Sequence, residues 1–177
     1  MKESLLIRNR SERSLFLRSV EECDQARLRV WKNRNRKSFF FQEVITRTMQ
    51  KEWFKDYSAD PDNLLFMVEK GHIPVGCIGF KLRREGAEIY NCILGHQSLK
   101  RQGVMSQALR MMCAFIRTRG VGQIFLKVLR TNTAAQKWYL KNQFEKISSH
   151  KQYDRFELAP SAFSDVKLEI QMGEAVQ

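Results

Sequence analysis

No apolar run in this sequence approaches the roughly 20 residues a helix needs to cross a bilayer, so a membrane-spanning helix is not expected. The opening stretch, MKESLLIRNRSERS, lacks the apolar centre of about 7–15 residues that a secretory signal carries, and the expected compartment is the cytoplasm. Cysteine is sparse. Cys23, Cys77, Cys92 and Cys113 stand far apart among apolar neighbours and form no C-x-x-C pair, so they read as buried, reduced thiols. His72, His96 and His150 fall in no ligand spacing, and no metal site is expected. There is no internal repeat and no low-complexity linker. Acids are outnumbered, 19 against 31 Lys and Arg, for a formal net charge of +12. Such a surface suits nucleic acid and small phosphorylated ligands equally, so charge alone does not choose between them.

What is present is enough for a real core. With 43% hydrophobic and 28% charged residues in 177, the chain fits one domain. Residues 1–13 read as a loose basic extension and residues 14–177 as a single domain. SLFLRSV alternates as a first strand, and EECDQARLRVWKNR comes next as a helix with Leu28 and Trp31 on its buried side. SFFFQEVITRTMQKEWFKDYSAD reads as a second helical region, with Ile45, Met49 and Trp53 at helical spacing. The period then changes. NLLFMVEKGHIPVGCIGFKL is a hairpin around Gly71, AEIYNCILG a further strand, and a helix runs from about Gly103 to Arg119. VGQIFLKVL is a strand, and NTAAQKWYLKNQF is a short helix opened by Thr131 or Asn132 as cap. KISSHKQYD and VKLEIQM supply a closing hairpin. The class is mixed α+β, with a mostly antiparallel sheet.

The stretch LKRQGVMSQALRMMCAFI raises a chemical question. It turns at Gly103 directly into a helix, and a helix start leaves N–H groups unpartnered and carries partial positive charge. No acid precedes the helix to fill that gap. Either this is an ordinary glycine turn, or a bound anion completes it.

Together with FLKVLRTNTAAQKWYLKNQF, the stretch resembles the acyl-CoA N-acyltransferases of the GNAT superfamily. Their first signature, Gln/Arg-x-x-Gly-x-Gly/Ala, falls on Lys100, Gly103 and Met105, with the central glycine kept and the flanking positions changed. Their second falls on Asn132, Ala135, Tyr139 and Phe144, with Gln143 where glycine is usual. The resemblance covers roughly residues 14–172 and implies the GNAT fold, its sheet splayed between the fourth and fifth strands of this reading. It implies that acetyl-CoA is the co-substrate, its pyrophosphate on the backbone of Arg101, Gln102, Gly103, Val104, Met105 and Ser106. The backbone of Ile93 and Leu94 would meet the pantetheine arm, and Asn132 would bond that arm or cap its helix. Tyr139 would be the general acid for the leaving thiolate, its alternative being a core residue with an edge hydroxyl. Glu88 is the best candidate base, or else a solvated strand-edge carboxylate. Attack would be direct, since no cysteine is placed as a covalent carrier.

The front half carries a finer resemblance, to bacterial enzymes that acetylate a nucleotide-linked amino sugar in pseudaminic acid synthesis. It rests on Trp31, Lys32 and Asn33, then Ile45, Thr46, Gln50 and Trp53, a pattern shared with acetyltransferases of protein amino termini. Those protein-directed enzymes often carry a glutamate base twelve residues before the tyrosine, where this chain has Lys127. An amine of pKa near 8 is about 10% free at pH 7, a lysine-like amine under roughly 0.1%, so a missing base fits the sugar amine better. On this reading Trp31, Asn33, Arg34 and Arg36 are substrate-binding, with the cations on the nucleotide's diphosphate or simply solvated. The alternatives are a ribosomal-type amino-terminal acetyltransferase and a catalytically silent module binding RNA or protein. Nucleic acid and membrane are not expected partners. A homodimer is possible, since dimers are common in resembling proteins.

Overall fold

Along the run Leu64–Val68, Phe66 and Val68 face one side of a sheet while Leu65 and Met67 face the other, and all four are buried. An unbroken apolar strand of this kind needs helices on both faces. The computed structural model describes residues 4–173 and supplies them. Among these residues nine strands occur, β1 (Ser4–Asn9), β2 (Glu12–Ser19), β3 (Asn63–Lys70), β4 (Ile73–Arg83), β5 (Gly86–Leu94), β6 (Ile124–Leu129), β7 (Phe144–Ser149), β8 (Tyr153–Leu158) and β9 (Leu168–Gly173). Four α-helices accompany them, α1 (Gln25–Arg34), α2 (Arg47–Ala59), α3 (Val104–Thr118) and α4 (Thr133–Lys141). The strands form one sheet in the order β7-β8-β6-β5-β4-β3-β2-β1-β9. Among the described residues every strand pairing is antiparallel except β5 with β6. The fold is α+β of the GNAT type.

Helix α3 is buried along most of its length and packs with Phe66, Phe80, Ile78 and Ile89. On the opposite face Leu28 and Trp31 of α1 and Tyr57 of α2 cover Leu65, Met67, Cys77 and Ile93. A charged cluster fixes the entry to α1. Arg18 of β2 grips both oxygens of Asp24 at 2.7 and 2.9 Å and reaches Glu69 of β3, and Asp24 is 0% exposed.

Three expectations change. Residues 4–9, assigned above to a loose extension, form β1, because Leu5 and Ile7 alternate inward against the α3 core. The second helical region starts at Arg47 and not near residue 38. The Thr46 hydroxyl accepts from Met49 N at 3.2 Å and caps α2, while Phe40, Phe41 and Val44 lie exposed in the preceding segment. The final strands do not form a closing hairpin. KISSHKQYD contains the β7–β8 turn, and VKLEIQM becomes β9 at the far edge beside β1. The 159–167 connection crosses over α3, where Arg117 donates to the carbonyls of Ala159, Pro160 and Ala162, and Phe163 is buried.

Candidate active site

Two strands that run parallel yet share only two residue pairs make the site. β5 and β6 are in register at Ala87–Ile124 and Glu88–Phe125 and at no later position among the described residues, so beyond Glu88 they part. A bulge drives the separation. Asn91 has φ +49°, and the β4–β5 register slips between Cys77–Ile93 and Gly79–Tyr90, which bends β5. Past the bulge β5 stays on β4, where Gly95 N donates to Val75 O at 2.8 Å. Strand alternation then directs the N–H and C=O of Leu94 into the gap and those of Ile93 toward β4. Of these two sequence-selected residues, Leu94 therefore presents its amide to the gap.

At the mouth of the gap α3 begins. Gly103 is its N-cap at φ +76°, with Arg101 also left-handed at φ +68°, and no side chain caps the helix. A Cβ built on Gly103 would meet nothing within 4 Å, so the space before the helix is open. Arg101 and Gln102 are exposed beside it, and Val104 is buried. The substitution at Met105 costs the opening nothing, because its sulfur tucks against Gly76 of β4. The N–H groups of Gly103, Val104, Met105 and Ser106 thus face a cradle suited to a diphosphate.

Tyr139 of α4 and Cys92 of β5 both pack against the α3-side core, where the phenol and the thiol influence each other. The Tyr139 ring is held edge-on by Trp138 and Phe144. Burial, and then Cys92, push the phenol well above its ordinary pKa, so it keeps its proton at neutral pH. Burial also pushes Cys92 up to about 12. Cys92 is thus a partly buried thiol that keeps its proton at neutral pH. Cys77 and Cys113 are buried as expected, whereas Cys23 is exposed. Asn132 caps α4, accepting from Ala135 N at 3.2 Å, and its amide donates to Ser38 O at 3.5 Å, tying α4 to the segment after α1.

The other expected residues separate into framework and surface. Trp31 is 5% exposed, with its ring against Gly95, and is a core residue without a free face for stacking. Asn33 bonds both the N–H and the carbonyl of Ile45, at 2.8 and 3.0 Å, and so shapes the segment between α1 and α2. Arg34 is exposed, and Arg36 donates to Asn33 O. Glu88 is clasped by Arg83 at 3.0 Å and Lys127 at 3.4 Å. With Arg84 and Glu85 these line a cavity of about 600 Å³ at the closed end of the gap. Sequence reasoning passed over Lys32, whose ammonium lies over the Phe39 ring and donates to Asn91 Oδ1, though Lys32 belongs to the Trp31–Asn33 match.

Strands that part over an uncapped helix start define the acyl-CoA transferase type of α+β fold. The description of the acetyltransferase (GNAT) family matches residues 21–144, and the chain belongs to that family of acetyl-CoA-dependent N-acetyltransferases. No curated protein matches. Among solved structures, apo FdhC, a nucleotide-linked sugar GNAT, is 18% identical with TM-score 0.72, over 86% of this chain and 90% of that one. Spermidine N-acetyltransferase from Vibrio cholerae, in complex with CoA and spermine, is 20% identical with TM-score 0.71, over 86% and 99%. RimL, a ribosomal L7/L12 alpha-N-protein acetyltransferase in complex with CoA, is 15% identical with TM-score 0.69, over 82% and 94%. At these identities the likeness concerns the fold. Among the described residues no helix is long and apolar enough to cross a membrane.

Proposed function

We propose that this chain, working in the cytoplasm as a single domain, acetylates the primary amine of a nucleotide-linked amino sugar by direct attack on acetyl-CoA. The observation that carries the reading is the parting of β5 and β6 beyond Glu88, together with an open, left-handed helix start at Gly103 and a protonated Tyr139 of α4 set against Cys92 of β5. The uncapped N–H groups of residues 103–106 hold the diphosphate, and Leu94 pairs with the carrier's amide arm along the exposed strand edge. Lys100 and Arg101 lie exposed beside the cradle and add positive charge. Tyr139 donates to the sulfur as the thiolate leaves. An acid so placed is worth about 10²–10⁴ in rate.

For the acceptor, support comes from the basic turn after α1. Arg34, Arg36 and Lys37 precede Ser38, which Asn132 ties to α4, so they border the gap on the side away from α3 and suit a sugar nucleotide's diphosphate. Asn33 sets the path of that turn. Glu88, with its carboxylate spent on Arg83 and Lys127, is not assigned as base.

The test is thermal shift with CoA and with an RNA oligomer, then CoA release with a dTDP-linked amino sugar, a peptide α-amine and spermidine. Stabilisation by CoA and turnover with the sugar are expected. RNA stabilisation without CoA stabilisation would favour the silent binding module, and turnover with the peptide alone would favour amino-terminal acetylation. Tyr139→Phe is expected to cut kcat at least tenfold with the CoA-induced shift unchanged; full activity refutes the acid.

A further inference from the structure

We propose that the Lys32 side chain is the base that takes the proton from the incoming ammonium, acting across β5 from the Tyr139 hydroxyl; this rests on the acyl-transfer reading above. Lys32 lies in the last turn of α1, and its Nζ donates to Asn91 Oδ1 while sitting 3.3 Å from the Phe39 ring centroid. Asn91 is the bulge residue at which β5 bends. The next residue, Cys92, packs with Tyr139 against the α3-side core and is the group that acts on its phenol. A candidate base and a candidate acid therefore touch consecutive residues of one strand, at the point where the gap opens.

The environment suits a neutral amine. Among the described residues Lys32 makes no ion pair with a carboxylate, and burial lowers its pKa to about 8. The groups around it are uncharged at neutral pH. They are the Cys77 thiol on β4, raised by burial, the Asn91 amide on β5, and the Phe39 ring. Asp24, before α1, is taken up by Arg18. At pH 8 about half of such an amine is neutral, against under about 1% for an ordinary lysine. Asn91 engages Nζ as an acceptor and leaves the nitrogen lone pair of the neutral form free.

The protons balance. The acceptor ammonium gives its first proton to neutral Lys32, and the freed nitrogen forms the bond to the acetyl carbon. The C–S bond breaks, its electron pair goes to sulfur, and sulfur takes the Tyr139 proton. The second proton of the acceptor nitrogen returns through solvent to Tyr139, and Lys32 later releases its own to solvent. One proton is released per turnover.

The experiment pairs Lys32→Met with Lys32→Arg and has two readouts. In the free protein, the Lys32 Nζ signal tracked by heteronuclear NMR should titrate near pH 8, well below the other lysines. Titration together with them overturns the proposal. In turnover with whichever of the three probe amines releases CoA, kcat/KM of the wild type should rise through pH 8. Both variants should lose that limb and fall at least tenfold at pH 8, with an unchanged CoA-induced thermal shift. Lys32→Arg keeps the charge and the cation–ring contact but not the titration, so an arginine variant with wild-type rate or profile refutes the base. Loss of the CoA-induced shift in wild type would instead refute the acyl-transfer reading.

Discussion

Gly95 is where the acceptor side of the site is fastened to the sheet, and Gly95→Ala tests that directly. A Cβ there would stand 2.1, 2.3 and 2.6 Å from three ring carbons of Trp31, distances no real Cβ sustains. The ring is 5% exposed and packed with Leu28, Tyr57, Met67 and Ile93, so it has nowhere to turn. Overpacking of this kind costs about 1–3 kcal/mol, and the rigid ring argues for the upper end, about 2–3. For a chain of this size that corresponds to a fall in Tm of about 4–12 °C. Relief comes only if α1 moves outward, and α1 carries Lys32 and Asn33 with it. The KM for the amine should therefore rise while the CoA-induced thermal shift persists, because the Gly103 cradle lies outside the disturbed contact. Trp31→Phe alone leaves a void, but combined with Gly95→Ala the two should cost about 1–2 kcal/mol less than their sum in urea unfolding. Strict additivity, or a Gly95→Ala protein as stable as wild type, refutes the close contact and the fastening built on it.

Gln143 holds φ +64° on an exposed turn, a conformation that costs a non-glycine residue about 1–2 kcal/mol. Gln143→Gly, less about 0.5–1 kcal/mol of backbone entropy, should gain about 0.5–1 kcal/mol and raise Tm measurably; a lower Tm refutes the strain. Asp24→Ala removes one of the two carboxylates on the Arg18 guanidinium, whose pKa it raises, and leaves Glu69 alone to hold it. It should cost about 1.5–3 kcal/mol in chemical unfolding, and a loss under about 1 kcal/mol would show the cluster to be ornamental to stability.

The sheet's centre could be read from the chain because both of its faces are apolar, and runs such as Leu64–Val68 with Gly71–His72 admit little else. The helix start at Gly103 could be read because an uncapped helix has a chemical consequence that a residue count reveals. Gln143 belongs with these, since the turn there demands the left-handed backbone whether or not the residue is glycine. The features that escaped were decided by distant parts of the chain. Leu5 and Ile7 look like any two apolar residues in a basic stretch until β9, more than 160 residues later, arrives beside them. The aromatic run Phe39–Phe41 has the composition of a buried helix, but Asn33 captures Ile45 and Thr46 caps α2, so the helix starts late. Trp31 reads as a substrate residue for the same reason, since only the fold shows that Gly95 lies under its ring. Lys32 stood in the Trp31–Asn33 match, but its burial and its contact with Asn91 could not be read there, because an amine's surroundings are not written in its neighbours.

The pairing of β1 with β9 also bears on how the molecule is made. Leu5 lies opposite Met172 and Ile7 opposite Ile170, so β1 keeps one open edge until residues 168–173 have been synthesised. The 159–167 strap directly precedes them, so α3 is made well before its cover. A nascent chain stalled before residue 168 would expose a sticky flank, and quality-control chaperones would meet this protein there first.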